Sequence, residues 1–333
     1  MILSPAMRQA AIDSVLRRVQ EEYVFPRVAD SMVRHVRTRE RAHAYDAVTS
    51  ARALADSLTR DLRSVSHDLH LQVGYSAAEL PPDVPTTQLL RPPPPNLLPQ
   101  FVAAGGPTNF GFERAERLQG NIGYLEIRDF PFPRTVARDV IAAAMTFLTH
   151  TDALIIDVRR SSGGDPGVIA ELLSYLLPGD SVLVNRIVWR AASFTDEMWT
   201  SARVPGPRYS KTKPVVVVTS GRSFSGAEAI AYHLQARKRA TIVGESTAGA
   251  AHPNPPRRAT AHFFVNVASG QSIDAVTNGD WEGKGVQPDI AVAAGDALSR
   301  ATVEALRGII AGVPEGPRRQ QLENLLRLLT QGR

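Results

Sequence analysis

The alternation of short apolar segments with amphipathic segments from residue 121 onwards constrains the fold of this chain more than any other feature. ALIIDVR (153–159) and PVVVVTS (214–220) are continuous apolar runs of strand length, whereas GVIAELLSYLL (167–177) and AEAIAYHLQAR (227–237) repeat apolar residues at helical spacing. Apolar strands that are separated by helices predict an α/β core with a mostly parallel sheet. Such sheets hold their chemistry in the turns that follow the carboxyl ends of the strands.

The front of the chain has a different pattern. Apolar residues recur at helical spacing through residues 6–65, so we predict a bundle of three helices, followed by a strand at LHLQVGYS (69–76). Residues 76–120 are rich in proline, which predicts an extended connection without regular structure that is too short for an inserted peptide-binding domain. The predicted domains are therefore 1–75 (helical bundle ending in a strand), 76–120 (linker) and 121–333 (α/β domain).

Two segments leave alternatives open. The proline-rich loop at 80–118, with Phe101, Phe110 and Phe112, either covers a cleft or only links the two domains. The amphipathic segment QQLENLLRLLT (320–330) either docks on its own core, which we favour, or on a second subunit. A homo-oligomer is therefore compatible with the sequence but is not predicted by it.

Composition excludes several function classes. The chain has no cysteine, which excludes disulfides, thiol catalysis and cysteine-ligated metal. The net charge of +5 comes mainly from arginines that are interleaved with acidic residues, so we expect no nucleic-acid groove. No apolar run is long enough to span a membrane. The first residues lack a signal-peptide pattern, so a cytoplasmic location is the default expectation, and a periplasmic or secreted one applies if the chain was trimmed.

The turn after PVVVVTS is the first candidate for chemistry. Ser225 lies where a helix begins, and the free amides and dipole of a helix start stabilise negative charge. The same pattern also fits a capping box, in which Ser225 and Glu228 satisfy helix amides and do no chemistry. Ser223 has the same two interpretations.

Three further segments carry candidate groups. Gly163 and Gly164 follow a buried strand and allow a sharp turn whose amides suit an oxyanion hole, or only a plain turn. His70, in the segment SHDLHLQV with His67 and Asp68, fits a general base or a structural histidine, and the spacing is not that of a metal site. Glu282 either orients a base or pairs with Lys284 at the surface.

Taken in order, these segments resemble the C-terminal processing (tail-specific) serine peptidase family, and more closely its branch containing interphotoreceptor retinoid-binding protein and bacterial relatives. The stretches that carry the resemblance are SHDLHLQV, GNIGYLEI, LIIDVRRSSGG, the block EMWT…RYSKTKPVVVVTSGRSFSGAEAIAYHLQARKRATIVGESTAGAAHP, and WEGKGVQPDI. The resemblance implies a crotonase-like core of β-β-α units, and it extends to about residue 292.

The resemblance also assigns roles, residue by residue. It implies that Ser225 is the nucleophile, that Gly226 and a glycine of the Gly163-Gly164 pair supply oxyanion amides, and that His70 and Glu282 match the histidine and glutamate of two family elements. The sequence departs from the serine–lysine type at Ala250, where that type has its lysine. The resemblance then leaves His70 as the base, as in the tricorn-like branch.

His252 is the second candidate base. If residues 250–254 are extended, the side chains of 250 and 252 project to the same face, so His252 approaches the place of the missing lysine.

The expected activity is hydrolysis through an acyl-enzyme, with a peptide or protein as substrate and no cofactor or metal. One alternative is a carrier of retinoids or other lipophilic molecules, since relatives use this fold for binding. Another is an esterase or a biosynthetic acyl-transfer enzyme, because one fold supports many reactions. A binding experiment separates the carrier from the enzymes, since a carrier binds its ligand without turnover.

Overall fold

The computed structural model of the chain describes residues 1–89, 91–177 and 179–331. The helices are α1 Pro5–Glu22, α2 Pro26–Arg41, α3 Ala51–Ser66, α4 Thr86–Leu89, α5 Leu98–Gly105, α6 Arg134–Leu148, α7 Pro166–Leu176, α8 Gly226–Ala236, α9 Ala297–Gly312 and α10 Pro317–Gln331. The strands are β1 Gln72–Tyr75, β2 Phe112–Leu118, β3 Ile122–Ile127, β4 Ala153–Asp157, β5 Leu183–Trp189, β6 Phe194–Trp199, β7 Val215–Thr219, β8 Thr241–Gly244, β9 Pro256–Arg258, β10 Phe263–Asn266, β11 Gly270–Asp274 and β12 Ile290–Ala291. Short 3-10 helices lie at Pro95–Leu97, Gly106–Gly111 and Gln119–Asn121.

The chain folds into two units, each made of three segments. The N-terminal unit comprises residues 1–92, 186–196 and 252–273. The sheet unit comprises residues 93–185, 197–251 and 274–333. Neither unit is one continuous segment of the chain. The domain limits that the sequence indicates, at residues 75 and 120, stay a prediction.

The N-terminal unit packs three helices against a small antiparallel sheet. The Ser4 hydroxyl accepts the Met7 amide at 3.2 Å and so caps α1, and Pro5 and Pro26 open helices because a first-turn proline has no intrahelical amide bond to lose. The sheet has the order β1-β10-β9, and Val73 and Val265, which are paired across it, lie in one core with α1, α2 and α3. The predicted N-terminal helices are therefore confirmed.

The sheet unit is built on six strands in the order β12-β8-β7-β4-β3-β2, of which only β2 runs antiparallel to its neighbour. All residues of β4 and β7 are buried, because helices cover both faces of the sheet. Ile156 and Val217 face a core shared with α6, α7 and α8, whereas Ile155 and Val216 face α9 and α10. The predicted α/β core with mostly parallel strands is confirmed.

A third sheet has the order β11-β5-β6. Each of its strands contains a point at which the chain passes from one unit to the other, after residues 185, 196 and 273. In the part of the chain that the structure describes, no helix combines the length and apolar character that a membrane crossing needs.

The prediction that the proline-rich segment lacks regular structure was wrong. It contains the helices α4 and α5 and the strand β2. Pro99 lies in the first turn of α5, a position where proline costs no hydrogen bond and fixes a helical φ angle. Proline therefore marks the start of a helix here.

Candidate active site

Ser225 lies in the turn between β7 and α8 and has an unusual backbone conformation. Its φ and ψ angles are 53° and −115°, whereas an ordinary N-cap serine has an extended backbone with negative φ. A positive φ is strained for a residue with a side chain and persists only where the surroundings impose it. Ser225 is half-buried, so its side chain retains some access to solvent. The conformation differs from that of a simple helix cap.

The turn formed by Gly163 and Gly164 packs directly against Ser225 and Gly226. Gly163 and Gly164 have φ angles of 93° and 140°. A Cβ atom on Gly163 would lie 2.5 Å from the Gly226 nitrogen and 2.8 Å from the Ser225 Cβ. A Cβ atom on Gly226 would lie 2.9 Å from the Gly164 nitrogen. The structure therefore brings these four predicted residues together, with main-chain amides close to the serine.

Hydrogen bonds join the loop after β4 to the loop after β7. The Phe224 amide donates to the Ser161 carbonyl at 3.1 Å, and the Ser220 hydroxyl donates to the Arg159 carbonyl at 2.6 Å. The Ser223 hydroxyl donates to the Val158 carbonyl at 2.8 Å and accepts the Ser220 amide at 3.0 Å. Ser223 is fully buried and its hydroxyl joins the two loops, which favours the structural interpretation of this serine.

Glu228 is the residue whose contacts sequence reasoning missed. One oxygen of its buried carboxylate accepts the amides of Ser225 at 2.7 Å and Ala250 at 2.9 Å. The other oxygen accepts the Thr247 hydroxyl at 2.6 Å and the Gly249 amide at 2.7 Å. The capping-box pattern predicted only the contact with Ser225, because the remaining partners are distant in sequence.

Glu282 and its neighbours flank the segment that contains Ala250. The Glu282 carboxylate accepts the Ala251 amide at 2.6 Å, and the Trp281 indole donates to the Ala250 carbonyl at 2.9 Å. The Gly283 amide donates to the Gly249 carbonyl at 2.9 Å. Glu282 thus has a main-chain partner in the sheet unit, beside the position where the serine–lysine type has its lysine.

His70 and His252 both belong to the N-terminal unit and are buried there. The His70 amide donates to the Asp68 carboxylate at 2.8 Å, and the Asn254 side chain donates to the His70 carbonyl at 3.0 Å. The Phe25 ring makes an edge contact with the His252 ring, with centroids 5.4 Å apart. These contacts fix the main chain around His70 and pack the imidazole of His252.

Burial is the main reason why the pKa of His70 falls to about 4, and the positive charges of His252 and Arg63 lower it further. Burial also raises the pKa of Asp68, against hydrogen bonds from the His70 amide and the charge of His252, which lower it. His67 is exposed and ends α3 with a left-handed backbone, apart from this buried group. Among the described residues, no group of three or more histidine, aspartate or glutamate side chains is arranged to hold a metal ion.

Two segments of the chain match known protein families. Residues 121–292 match the family described as peptidase family S41, and residues 3–103 match the N-terminal domain of peptidase S41 in eukaryotic IRBP. The first match alone covers more than half of the chain. The chain belongs to peptidase family S41. Membership of family S41 confirms the resemblance to this peptidase family.

One S41 relative is the carboxy-terminal-processing protease of Bartonella bacilliformis, which is 28% identical over 192 residues. That match covers 53% of this chain and 40% of the relative, so the chain matches less than half of the relative's length.

Two solved structures share the fold of this S41 chain. A lipoprotein from Streptococcus agalactiae has a TM-score of 0.58 at 14% identity, over 91% of this chain and 98% of that one. The photosystem II D1 C-terminal processing protease has a TM-score of 0.51 at 16% identity, over 95% of this chain and 100% of that one. At these identities the likeness concerns the fold alone, and it confirms the predicted fold class.

Proposed function

We propose that this chain is a serine peptidase that cleaves a peptide or protein substrate through an acyl-enzyme on Ser225. The observation that carries the proposal is the strained backbone of Ser225, which packs against the Gly163-Gly164 turn. A serine on a sharp turn between a strand and a helix, next to main-chain amides, is the arrangement that nucleophilic serines use on α/β sheets. Family membership supports the same class of reaction.

The first step is attack of the Ser225 hydroxyl oxygen on the scissile carbonyl carbon, with loss of the hydroxyl proton to a base. The carbonyl oxygen becomes an oxyanion, which the amides of Gly226 and of the Gly163-Gly164 turn stabilise by hydrogen bonds. The base returns the proton to the leaving amine, and water then releases the acyl group. The rigid turns support this role because they hold the amides in place before the charge develops.

His70 is the proposed base. Since its pKa is lowered to about 4, its imidazole is neutral at pH 7 and able to accept a proton. No lysine is available at the usual position, which is Ala250. His252 is the second candidate, because it follows Ala251, whose amide donates to Glu282. Glu282 is proposed to orient the base through an intermediate group.

Covalent labelling of Ser225 tests the proposal. We expect a fluorophosphonate to label the full chain on Ser225, and Ser225→Ala to abolish both labelling and hydrolysis of a peptide library. Ser246→Ala is the control, since Ser246 is an exposed serine of the same unit whose hydroxyl donates to the Gln287 side chain. Labelling of Ser225→Ala at the rate of the original chain would refute the assignment.

A second measurement separates the reaction classes. Hydrolysis of peptides and of activated esters is compared in the chain, in His70→Ala and in His252→Ala. Turnover of peptides that requires His70 supports the proposal, and turnover of esters alone indicates an esterase. Saturable binding of retinol that is unchanged in Ser225→Ala, without turnover of either substrate, indicates a carrier.

A further inference from the structure

The carboxylate of Glu228 has more partners than its position in α8 requires. Capping of the helix needs only the hydrogen bond from the Ser225 amide, at 2.7 Å. The other three donors come from Thr247, Gly249 and Ala250. Glu228 is fully buried within the sheet unit, so these bonds form away from solvent. Helix capping therefore leaves most of its contacts unexplained.

The three consecutive amides of residues 249–251 are all held by carboxylates. Glu228 accepts the amides of Gly249 and Ala250, and Glu282 accepts that of Ala251 at 2.6 Å. Gly249 has a φ angle of 89°, and a Cβ atom there would lie 3.0 Å from the Gly285 nitrogen. The 249–251 segment is thus fixed between two acidic side chains and a neighbouring loop.

Burial and hydrogen bonding act in opposite directions on the pKa of Glu228. Burial is the largest influence and raises the pKa of Glu228, and the hydrogen bonds from Thr247 and from the three amides offset only part of that rise. Because all four donors point at the two carboxyl oxygens, loss of either oxygen would leave donors without an acceptor in a buried site.

We propose that Glu228 is a positioning residue for the reaction, holding the Ser225 turn and the 249–251 segment in one fixed arrangement. This inference rests on the proposed role of Ser225 as nucleophile. A positive φ at Ser225 costs on the order of 1–3 kcal/mol unless the surroundings impose it. Without the carboxylate, the turn relaxes towards an extended backbone, and the hydroxyl moves away from the amides of the Gly163-Gly164 turn.

The test is Glu228→Gln in the full chain. The amide side chain has the same shape, but its NH2 group faces amides that also donate, so part of the contact set is lost. We expect kcat/KM for a peptide or ester substrate to fall about 100-fold, as displacement of a reacting group by about 1 Å does. The loss appears in kcat with KM nearly constant, and the second-order rate of fluorophosphonate labelling falls in parallel.

Asp274→Asn is the matched control. Asp274 is also fully buried in the sheet unit, and it accepts the amides of Val276 and Thr277 as well as the side chains of His233 and Arg237. We expect this variant to lose stability but to keep its labelling rate per folded molecule. The inference is overturned if Glu228→Gln labels at the original rate, or if both variants lose the same factor. If the original chain is not labelled by the fluorophosphonate and does not hydrolyse a substrate, the result refutes the proposed function and, with it, the nucleophile on which this inference rests.

A second pair of variants covers the case in which Glu228→Gln does not fold. Thr247→Val removes the hydroxyl that donates to Glu228 and accepts the Val286 amide, whereas Thr247→Ser retains it. We expect the labelling rate of the valine variant to fall roughly 10-fold, a smaller displacement than loss of the carboxylate causes, and the serine variant to match the original chain. Equal rates in the two variants overturn the inference.

Discussion

The glycines around Ser225 have a steric role that no other residue can fill. Gly163 and Gly226 each lie so close to the opposite turn that a Cβ atom would meet main-chain atoms within 3 Å. Such contacts place the amides of Gly164 and Gly226 next to the serine, where the proposed reaction needs donors for an oxyanion. The proposed nucleophile and the proposed oxyanion amides are thus brought together by close packing of two turns.

We expect Gly163→Ala to lower kcat/KM by about 100-fold, because the new methyl group forces the two turns apart and displaces the reacting groups. Steady-state hydrolysis and the rate of fluorophosphonate labelling measure this loss. Gly316→Ala is the control, since Gly316 also has a positive φ, of 151°, but has open space where the Cβ atom would lie. Equal activity of the two variants would contradict the steric argument.

The proposed role of His70 as base predicts how hydrolysis depends on pH, because the pKa of His70 is lowered. A base works in its neutral form, and a pKa lowered to about 4 keeps His70 neutral from pH 8 down to about 5. We therefore expect kcat/KM to be constant over that range and to fall only as the pH approaches 4. An acid limb near pH 6.5, the ordinary value for histidine, would show that His70 is not the base.

His252→Asn tests the same assignment from the neighbouring side chain. The positive charge of His252 is one of the causes that lower the pKa of His70, after burial. Removal of that charge raises the pKa of His70, so we expect the acid limb of the profile to move towards neutral pH while hydrolysis continues. Complete loss of hydrolysis would instead identify His252 as the base.

Sequence patterns identified the turn residues of the site but not what holds them. Ser225 and the Gly163-Gly164 pair follow buried apolar strands, and such positions are visible in the sequence. The partners of Glu228 at residues 247, 249 and 250 lie 19 to 22 residues further along the chain. A local pattern cannot predict such contacts, because they depend on how β8 returns the chain to the start of α8.

At the scale of elements, the loop after β4 and the loop after β7 are joined by hydrogen bonds. The carbonyls of Val158, Arg159 and Ser161 each accept a hydrogen bond from the loop after β7. Parallel neighbouring strands end at the same edge of a sheet, so their loops meet there. This hydrogen bonding holds the turn of Ser225 against the turn of Gly163.

We expect Ser223→Ala to destabilise the chain by about 1–3 kcal/mol, since it leaves the buried Ser220 amide without its acceptor. The free energy of unfolding in urea measures this change. Labelling of Ser225 should also become slower, because the loop loses its bond to Val158. If stability and labelling match those of the exposed-site variant Ser246→Ala, the two loops are not coupled in this way.

Strong periodicity made the elements of the core predictable. The strands β4 and β7 and the helices α7 and α8 lie where apolar runs and helical spacing placed them. Strand β2, FERAERL, was missed because it lies at the edge of the sheet and carries charged side chains, which are typical of edge strands but not of a strand pattern. In the proline-rich segment, the prolines were interpreted as residues that prevent regular structure, whereas Pro99 lies in the first turn of a helix.

At the scale of the whole molecule, the N-terminal unit takes its last strands from far along the chain. Phe263 and Val265 of β10 share a core with the three N-terminal helices. Phe263 pairs with Tyr75 of β1, so strands nearly two hundred residues apart are neighbours. Local patterns predicted a strand around β1 but not its pairing with β10, because that pairing depends on the tertiary fold.

We expect Phe263→Ala to lower the free energy of unfolding by about 3–5 kcal/mol, as truncation of a buried phenylalanine does. Phe263 is 2% exposed, whereas Phe264 points to the other face of the same strand and is only partly buried. Phe264→Ala is therefore the control and should cost clearly less. Similar losses in the two variants would show that β10 does not complete the core of the helices.

The segmented N-terminal unit also has a consequence for synthesis on the ribosome. Its first segment ends at residue 92 and its last segment ends at residue 273, so 181 residues must be translated in between. At the usual speed of translation this takes roughly 10–40 s. During that interval the newly made helices expose the apolar surface that β10 later covers. Nascent chains of this protein should therefore engage chaperones until the third segment has emerged.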